Sequence, residues 1–508
     1  MLLTELPPEI INHILGYVDP LDLAWIPRTC RALYHAVTAN TSLFKLVYLN
    51  HLDAPSQRHV NWEQSLKDLV RLQNLCRCSR VDVKKKELDF VHRTVTSLLR
   101  NAATHGERPG LTAKLPQSRN ADLLARIFAV ESNQSAFLCR SFIYERARAE
   151  FHVSDNVYFH GPPKLEHQQS AHLHCLYGVP QLSAYPSSTR RTRHSKMHPF
   201  ACSKVYDLRQ YTDRNKWGPF MDDGTMRVDW EKVEAIMIVL GANMEGQGLS
   251  GVPMCESFCS IPFAGTWPNS WKSPHIYAQP RELDPLEHLD PYDVTGVWLR
   301  VVCFLDYTDF FAYNFAAEEQ PPSHVPRPAI DVGEATRLIL MRIFVTAVEP
   351  PGPEDGQDLP VVHFKGVSRS LDHSFDENAD SDIRGITLLR GSVRLTPEGE
   401  VRWTTFSIFG GVERWRSESV QVGGVKSAKG VLGHWFDKDY DPRGPAGPTA
   451  FWKISDNNRP KADGDNDEIG ASDLYDDVDE LDGDYEGHHD EEDDSGEESL
   501  EDLSVPEA

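Results

Sequence analysis

The chain has 508 residues; 52 Lys and Arg against 76 Asp and Glu give a net charge of −24. Residues 463–508 hold 22 of those acids and no Lys or Arg, so the remaining body is near −2 (−24 less −22), and the tail is expected to be disordered. No run of about 18 apolar residues suggests a membrane span, no basic-then-apolar start suggests secretion, and nine cysteines are too few for a disulfide framework. A soluble protein of the cytoplasm and/or nucleus is expected, with reduced thiols and neither membrane nor nucleic acid as a partner.

The first fifty residues read as three or four short helices. Pro7 and Pro8 suit a first helical turn, where no backbone donor is needed. Ile10, Ile14 and Val18 recur at helical spacing, with Ile11 and Leu15 beside them. Asp19-Pro20 restarts the chain as a cap followed by a first-position proline, and Pro27 is expected to end that second helix. Cys30, Leu33, Tyr34 and Val37 make the next stripe. Asn40-Thr41-Ser42 offers a cap before Leu43 and Phe44. Fifty residues are marginal for a core of their own, and the surplus of apolar side chains suits a helix-in-groove contact.

The order Leu6-Pro7-x-Glu9-Ile10, Ile14-Leu15, Leu21-Asp22-Leu23, Cys30-Arg31-x-Leu33 and Phe44 resembles an F-box. That family docks on the adaptor Skp1 and so joins cullin and RING subunits in an SCF ubiquitin ligase. Carried over by position, the resemblance implies that Leu6, Pro7, Ile10, Ile14, Leu15, Leu21, Leu23, Cys30, Leu33 and Phe44 face the adaptor. The alternative is a helical cap packed onto the body.

Residues 51–153 read as a helical linker. Asn61 to Cys76 carries Trp62, Leu66 and Leu69 at helical spacing, and Lys84 to Asn101 carries Leu88, Val91, Val95, Leu98 and Leu99. Asn120 is expected to cap a third helix with Leu123, Leu124, Ile127 and Phe128, and Phe137 to Phe151 makes a fourth. Residues 154–232 form a mixed, loop-rich region. Its basic cluster, Arg190-Arg191-Thr192-Arg193-His194-Ser195-Lys196, fits a solvated loop, an import signal or a contact for an acidic segment.

Residues 233–456 are expected to be β-rich, with the pattern beginning near Trp217. Val233 to Leu240 is ambiguous between strand and helix. Val294 to Phe315 reads as one or two strands, followed by Thr336 to Val348 and Val361 to Val367. Leu388 to Leu395 and Val401 to Phe409 flank a hairpin turn, Thr396-Pro-Glu-Gly399. Trp415 to Val422, Gly430 to Phe436 and Ala450 to Ile454 complete a sandwich or closed barrel. Gly296-x-Trp298 and Gly433-x-Trp435 resemble the strand openings of lipocalin-type barrels, where the tryptophan closes one end. With the stretch Asp439-Tyr440 to Gly444, they also make this half similar to the C-terminal domain of large fungal F-box proteins.

The stretch Gly433 to Thr449 is expected to be a loop between strands. Aromatic and Arg side chains dominate protein recognition, and loops on a rigid scaffold carry binding. Trp435, Asp437, Lys438, Asp439, Tyr440 and Arg443 are therefore candidates for gripping a substrate, against a self-satisfied turn. Gly246-Gln-Gly248-Leu-Ser-Gly251 fits a dinucleotide formula, but Pro253 follows and no βαβ unit surrounds it. His172-Leu-His174-Cys175 and Cys255-x-x-x-Cys259 lack paired zinc spacing. No catalytic motif, metal set or cofactor is indicated.

The expected fold class is α+β: helical F-box (1–50), helical linker (51–153), mixed region (154–232), β barrel or sandwich (233–456) and acidic tail (457–508). The expected function is a non-catalytic substrate receptor that binds Skp1 and an unidentified target protein. The alternative is an F-box protein outside the ligase, with a small-ligand-binding barrel.

Overall fold

The structure, a computed structural model, describes residues 6–55, 60–105, 117–151, 164–179, 190–259, 261–271, 285–316, 322, 325–371 and 386–456. The acidic tail lies outside the described residues.

Caps and prolines divide the first fifty residues into four helices: α1 (Pro8–Gly16), α2 (Pro20–Leu23), α3 (Arg31–Val37) and α4 (Thr41–His51). Asp19 Oδ1 accepts from Leu21 N at 2.8 Å, and Asn40 Oδ1 from Leu43 N at 3.0 Å, so both expected caps operate. Helix α2 ends at Leu23, earlier than expected, because the chain tightens into a 3-10 turn (Ile26–Arg28) that contains Pro27.

The linker continues with α5 (Trp62–Arg77), α6 (Val81–Lys85), α7 (Leu88–Arg100), α8 (Arg119–Phe128), α9 (Glu131–Phe137) and α10 (Phe142–Phe151). Ser118, not Asn120, caps α8, its Oγ accepting from Ala121 N at 3.1 Å. Asn120 sits two residues later, at the second helical position, and is fully buried. The helix expected over 137–151 begins only at Phe142, because Phe137 ends α9 and Leu138–Ser141 separate it from α10.

Two helices occupy the region read as loop-rich: α11 (Leu165–Tyr177) and α12 (Arg190–Val205). The basic cluster forms the first turns of α12; its side chains lie outside the described residues. Next come α13 (Trp230–Gly246) and α14 (Glu256–Cys259). Val233 to Leu240 therefore belongs to a helix, capped by Asp229 and buried on nearly every side. Such a helix shows no apolar stripe, so periodicity alone cannot distinguish it from a buried strand.

The sheet begins only at Gly296, not near Trp217 or Val233. Its strands are β1 (Gly296–Leu305), β2 (Glu334–Glu349), β3 (Val361–Ser370), β4 (Ile386–Leu395), β5 (Val401–Phe409), β6 (Val412–Gln421), β7 (Val431–Asp437) and β8 (Ala446–Ser455). Each pairs antiparallel with the next, and β8 pairs with β1, so the sheet is a closed up-and-down barrel rather than a sandwich. Phe310 to Phe315, expected as a strand, lies in α15 (Tyr307–Phe315), where Asp306 Oδ1 caps Thr308 N at 2.8 Å. The hairpin at Thr396–Gly399 forms as expected: Gly399 donates to Thr396 O at 2.8 Å with φ +86°. The expected loop over Gly433–Thr449 shrinks to Lys438–Pro445, because both ends are absorbed into β7 and β8.

One continuous apolar core runs from Ile11 and Leu15 of the F-box segment, through Leu69, Val95, Phe128 and α13, to the outer face of the barrel at Leu299, Val301, Phe436 and Trp452. A second core lies inside the barrel.

Candidate functional site

Two surfaces stand out, one at each end of this continuous core. On α1, Ile10 is 46% exposed and Ile14 40%, and Tyr17 just past the helix end is 66% exposed. Spaced four and three residues apart, they lie along one face of the helix. Trp25 at 60% and Tyr34 at 49% add large exposed side chains from the next elements. Apolar exposure on this scale within fifty residues marks an interaction surface.

The adaptor-facing residues expected from sequence divide in two. Pro7, Ile10, Ile14 and Cys30 are exposed, and Leu6 and Leu33 are partly buried against the core. Leu15, Leu21, Leu23 and Phe44 are buried within the chain itself. Leu15, Leu23 and Phe44 belong to the continuous core, so these side chains hold the segment together instead of facing outward. Tyr17, Trp25 and Tyr34 were missed. Tyr34 stands in the stripe with Cys30, Leu33 and Val37, so spacing could have signalled it; Tyr17 and Trp25 fall outside the stripes, and only their size and type could have signalled them.

The barrel interior is the second candidate, and it is closed at one end. At its closed end, Trp298, Trp403, Phe364 and Phe451 form an aromatic floor. Trp403 stands 5.1, 5.6 and 5.4 Å from the Trp298, Phe364 and Phe451 rings. Trp298 Nε1 donates to Val294 O and Trp403 Nε1 to Gln421 Oε1. Tyr292 and Val294 pack beneath. The Gly-x-Trp opening of β1 thus supplies the closed end, as the lipocalin-like likeness implied.

Strand alternation puts a polar layer above that floor: Arg300, Ser368, Thr405, Ser417, Ser419 and Thr449, all buried. Higher still, Val302, Phe304, Arg337, Trp415, Trp435 and Asp437 are only partly buried, so the interior opens toward the carboxyl end of β1. Trp415 and Trp435 meet edge to face at 5.3 Å, and Trp435 Nε1 donates to Cys303 O at 3.1 Å.

The six candidates for substrate contact are not brought to one place. Trp435 and Asp437 stand at the open end of the barrel. Tyr440 turns outward and packs on Trp217 and Phe436, 5.4 and 5.6 Å between ring centres. Beneath it, Glu418 is fully buried between Arg402 (2.9 Å) and Arg416 (2.6 Å). Burial would raise that carboxyl, but the two guanidinium groups outweigh it and hold it below the usual range. Lys438 pairs with Asp439 at 3.1 Å, Asp437 Oδ1 accepts from Asp439 N at 2.9 Å, and Asp441 Oδ1 accepts from Arg443 N at 2.9 Å. The tip is thus a largely self-satisfied turn, from which the Arg443 side chain projects into solvent.

The remaining motifs resolve as structure. Gly246 ends α13 and Gly248 takes the left-handed conformation that closes it, so no phosphate-binding helix follows. His172 stacks on Trp230 at 3.8 Å and meets His92 Nε2 at 3.0 Å, whereas His174 Nδ1 meets Glu234 at 2.6 Å, so the two histidines serve separate partners. A set that sequence spacing did not suggest is His198, Cys202 and Glu334, whose ligand-type atoms cluster within 4.8 Å. Glu334 there accepts from His198 at 2.8 Å, Tyr206 at 2.5 Å and Asn243 at 2.8 Å, which satisfies the carboxylate with protein donors. Among the described residues no helix is long and apolar enough to cross a membrane.

Residues 3–50 match the F-box-like family model. Comparison with curated proteins and with solved structures found no match. The exposed face of α1 and its neighbours therefore belongs to an F-box-like domain, the mark of an F-box protein, which continues here through helices into a closed eight-stranded antiparallel barrel.

Proposed function

We propose that the chain is the substrate-recognition subunit of an SCF-type ubiquitin ligase. Its F-box-like domain docks on Skp1, which brings the cullin and RING subunits, and the barrel holds the protein to be modified. The observation that carries this is the exposure of Ile10, Ile14, Tyr17, Trp25 and Tyr34 in a domain whose other large apolar side chains are mostly buried. Such a face stabilises the chain little by itself and suits a groove on a partner.

The chain contributes proximity rather than bond-making chemistry. One molecule with two binding surfaces raises the local concentration of target at the ligase. The continuous core between F-box and barrel supports a rigid connection, which would hold a target at a fixed reach. Such an assembly works in the cytoplasm or nucleus. A barrel with a deep, dry, apolar cavity would instead favour a carrier acting outside the ligase; the aromatic floor fills the closed end of the barrel and counts against a cavity that runs its full depth.

Affinity purification of the tagged full chain tests the proposal. Skp1, cullin and RING subunits are expected to co-purify with the wild type and to be lost together from I14D. Cullin retained by I14D would contradict the assigned route into the ligase.

A further inference from the structure

The polar layer of the barrel holds a charge without a counter-ion among the described residues. Arg300 projects inward from β1, one level above Trp298, and is 7% exposed. Its Nε donates to Thr449 Oγ1 at 2.9 Å, and Thr449 Oγ1 donates to Val301 O at 3.1 Å. The two terminal nitrogens of the guanidinium have no hydrogen bond or ion pair among the described residues. Burial is unopposed by any carboxylate and brings Arg300 down to about 10, still fully charged at neutral pH. Other deeply placed arginines of this chain are paired: Arg402 and Arg416 with Glu418, and Arg327 with Asp207. Arg300 is thus a local exception to the rule that buried charges have partners.

A second group in the same layer is also unmatched. Ser419 is fully buried on the inner face of β6, and its hydroxyl has no partner among the described residues. Ser419 pairs with Gly433, and Gly433 with Thr449, so the three lie in register across β6, β7 and β8. The serine therefore stands two strands, roughly 10 Å, from Thr449, with only a glycine on the strand between. A buried unsatisfied hydroxyl costs about 1–3 kcal/mol, and here it shares its layer with an unneutralised guanidinium.

We propose that this layer of the barrel binds a small organic carboxylate, held by the terminal nitrogens of Arg300 and by the Ser419 hydroxyl. The planar fork of a guanidinium matches the two oxygens of a carboxylate. Thr449 fixes the fork by holding Nε, which leaves the terminal nitrogens for the ligand. The body of the acid faces the mouth, where Val302, Phe304 and the Trp415–Trp435 pair present partly buried apolar surface. An aromatic or short aliphatic acid suits that lining. Binding makes and breaks no covalent bond, and it stands independently of adaptor docking.

The test is titration of benzoate into the purified full chain, followed by tryptophan fluorescence and by the thermal midpoint, with benzamide and inorganic phosphate as controls. Saturable benzoate binding is expected, with benzamide at least about tenfold weaker, because the neutral amide lacks the charge that Arg300 attracts. R300Q is expected to abolish binding while keeping the wild-type far-UV circular dichroism spectrum, which shows that the chain remains folded. S419A is expected to weaken benzoate about three- to tenfold and leaves an intact fold if R300Q unfolds. No saturable benzoate response, benzamide or phosphate binding as tightly as benzoate, or unchanged benzoate affinity in S419A would overturn the proposal.

Discussion

Asp53 and Asn120 hydrogen-bond to each other in both directions. The amide of Asp53 donates to Asn120 Oδ1 at 3.0 Å, and the amide of Asn120 donates to Asp53 Oδ2 at 3.4 Å. The Asp53 carboxylate also accepts from Ala103 N, Ser118 Oγ, His105 Nε2 and Arg119 N, and Asn120 Nδ2 donates to Leu98 O. Two residues past α4, this pair ties the F-box to the ends of α7 and α8. It is the polar counterpart of the continuous core.

Removing that junction should loosen the whole linker. D53A strands several buried donors, so a loss of about 3 kcal/mol is expected in urea unfolding. A change within about 0.5 kcal/mol, the range of an ordinary surface substitution, would show that the junction is dispensable.

The division of the F-box residues into outward and inward sets predicts opposite phenotypes. L15A and L21A should destabilise by about 2–4 kcal/mol, as large-to-small core substitutions do. I10D and I14D should change stability by less than about 1 kcal/mol, because both side chains face water. Circular dichroism melts of the four variants check this, and a large loss from I14D would place Ile14 inside the fold.

Stability should fall as the pH drops below about 6.5. Burial, with Lys232 adding like charge, lowers His434 to about 3, and burial with His92 and Arg100 nearby holds His172 well below its ordinary 6.5. The folded pKa of each lies below the unfolded value, so the unfolded chain binds more protons in that window. The contribution is complete above about 6.5 and shrinks by about 1.4 kcal/mol per pH unit for each histidine as pH falls. Urea midpoints at pH 7, 6 and 5 measure it. A flat profile would contradict the neutral, buried state of both rings.

The aromatic floor should be a principal support of the barrel. W403A is expected to cost about 3–5 kcal/mol, since it removes a fully buried indole that touches three other rings. Near-UV circular dichroism should lose intensity in step. A barrel that tolerates the change would mean the floor is less tightly packed than its ring distances show.

Much of this architecture was legible in local chemistry. Asp19 and Asn40 capped the helices they were expected to cap, and Thr396-Pro-Glu-Gly399 marked its hairpin, because caps and turns are decided within a few residues. What escaped was decided by tertiary packing. Val233 to Leu240 is helical, but its residues are buried on nearly every side, which erases the stripe that would have marked a helix. Phe310 and Phe315 looked like strand residues, yet the Asp306 cap turns them into α15. Leu15 and Ile14 are neighbours in sequence with opposite fates, and only the packing of α1 against α4 separates them. Arg300 drew no notice in the sequence, because a lone arginine in a strand carries no sign of which face it takes or what it meets there.

Isothermal titration of purified Skp1 into the full chain tests the outward face of the F-box-like domain most directly. The wild type is expected to bind at sub-micromolar strength, on the order of −8 kcal/mol or stronger, and the I10D/I14D double variant, with an unchanged melting profile, to show no measurable heat. Wild-type affinity in the folded double variant, or no binding by the wild type, would contradict the claim that Ile10 and Ile14 are where this chain meets the ligase.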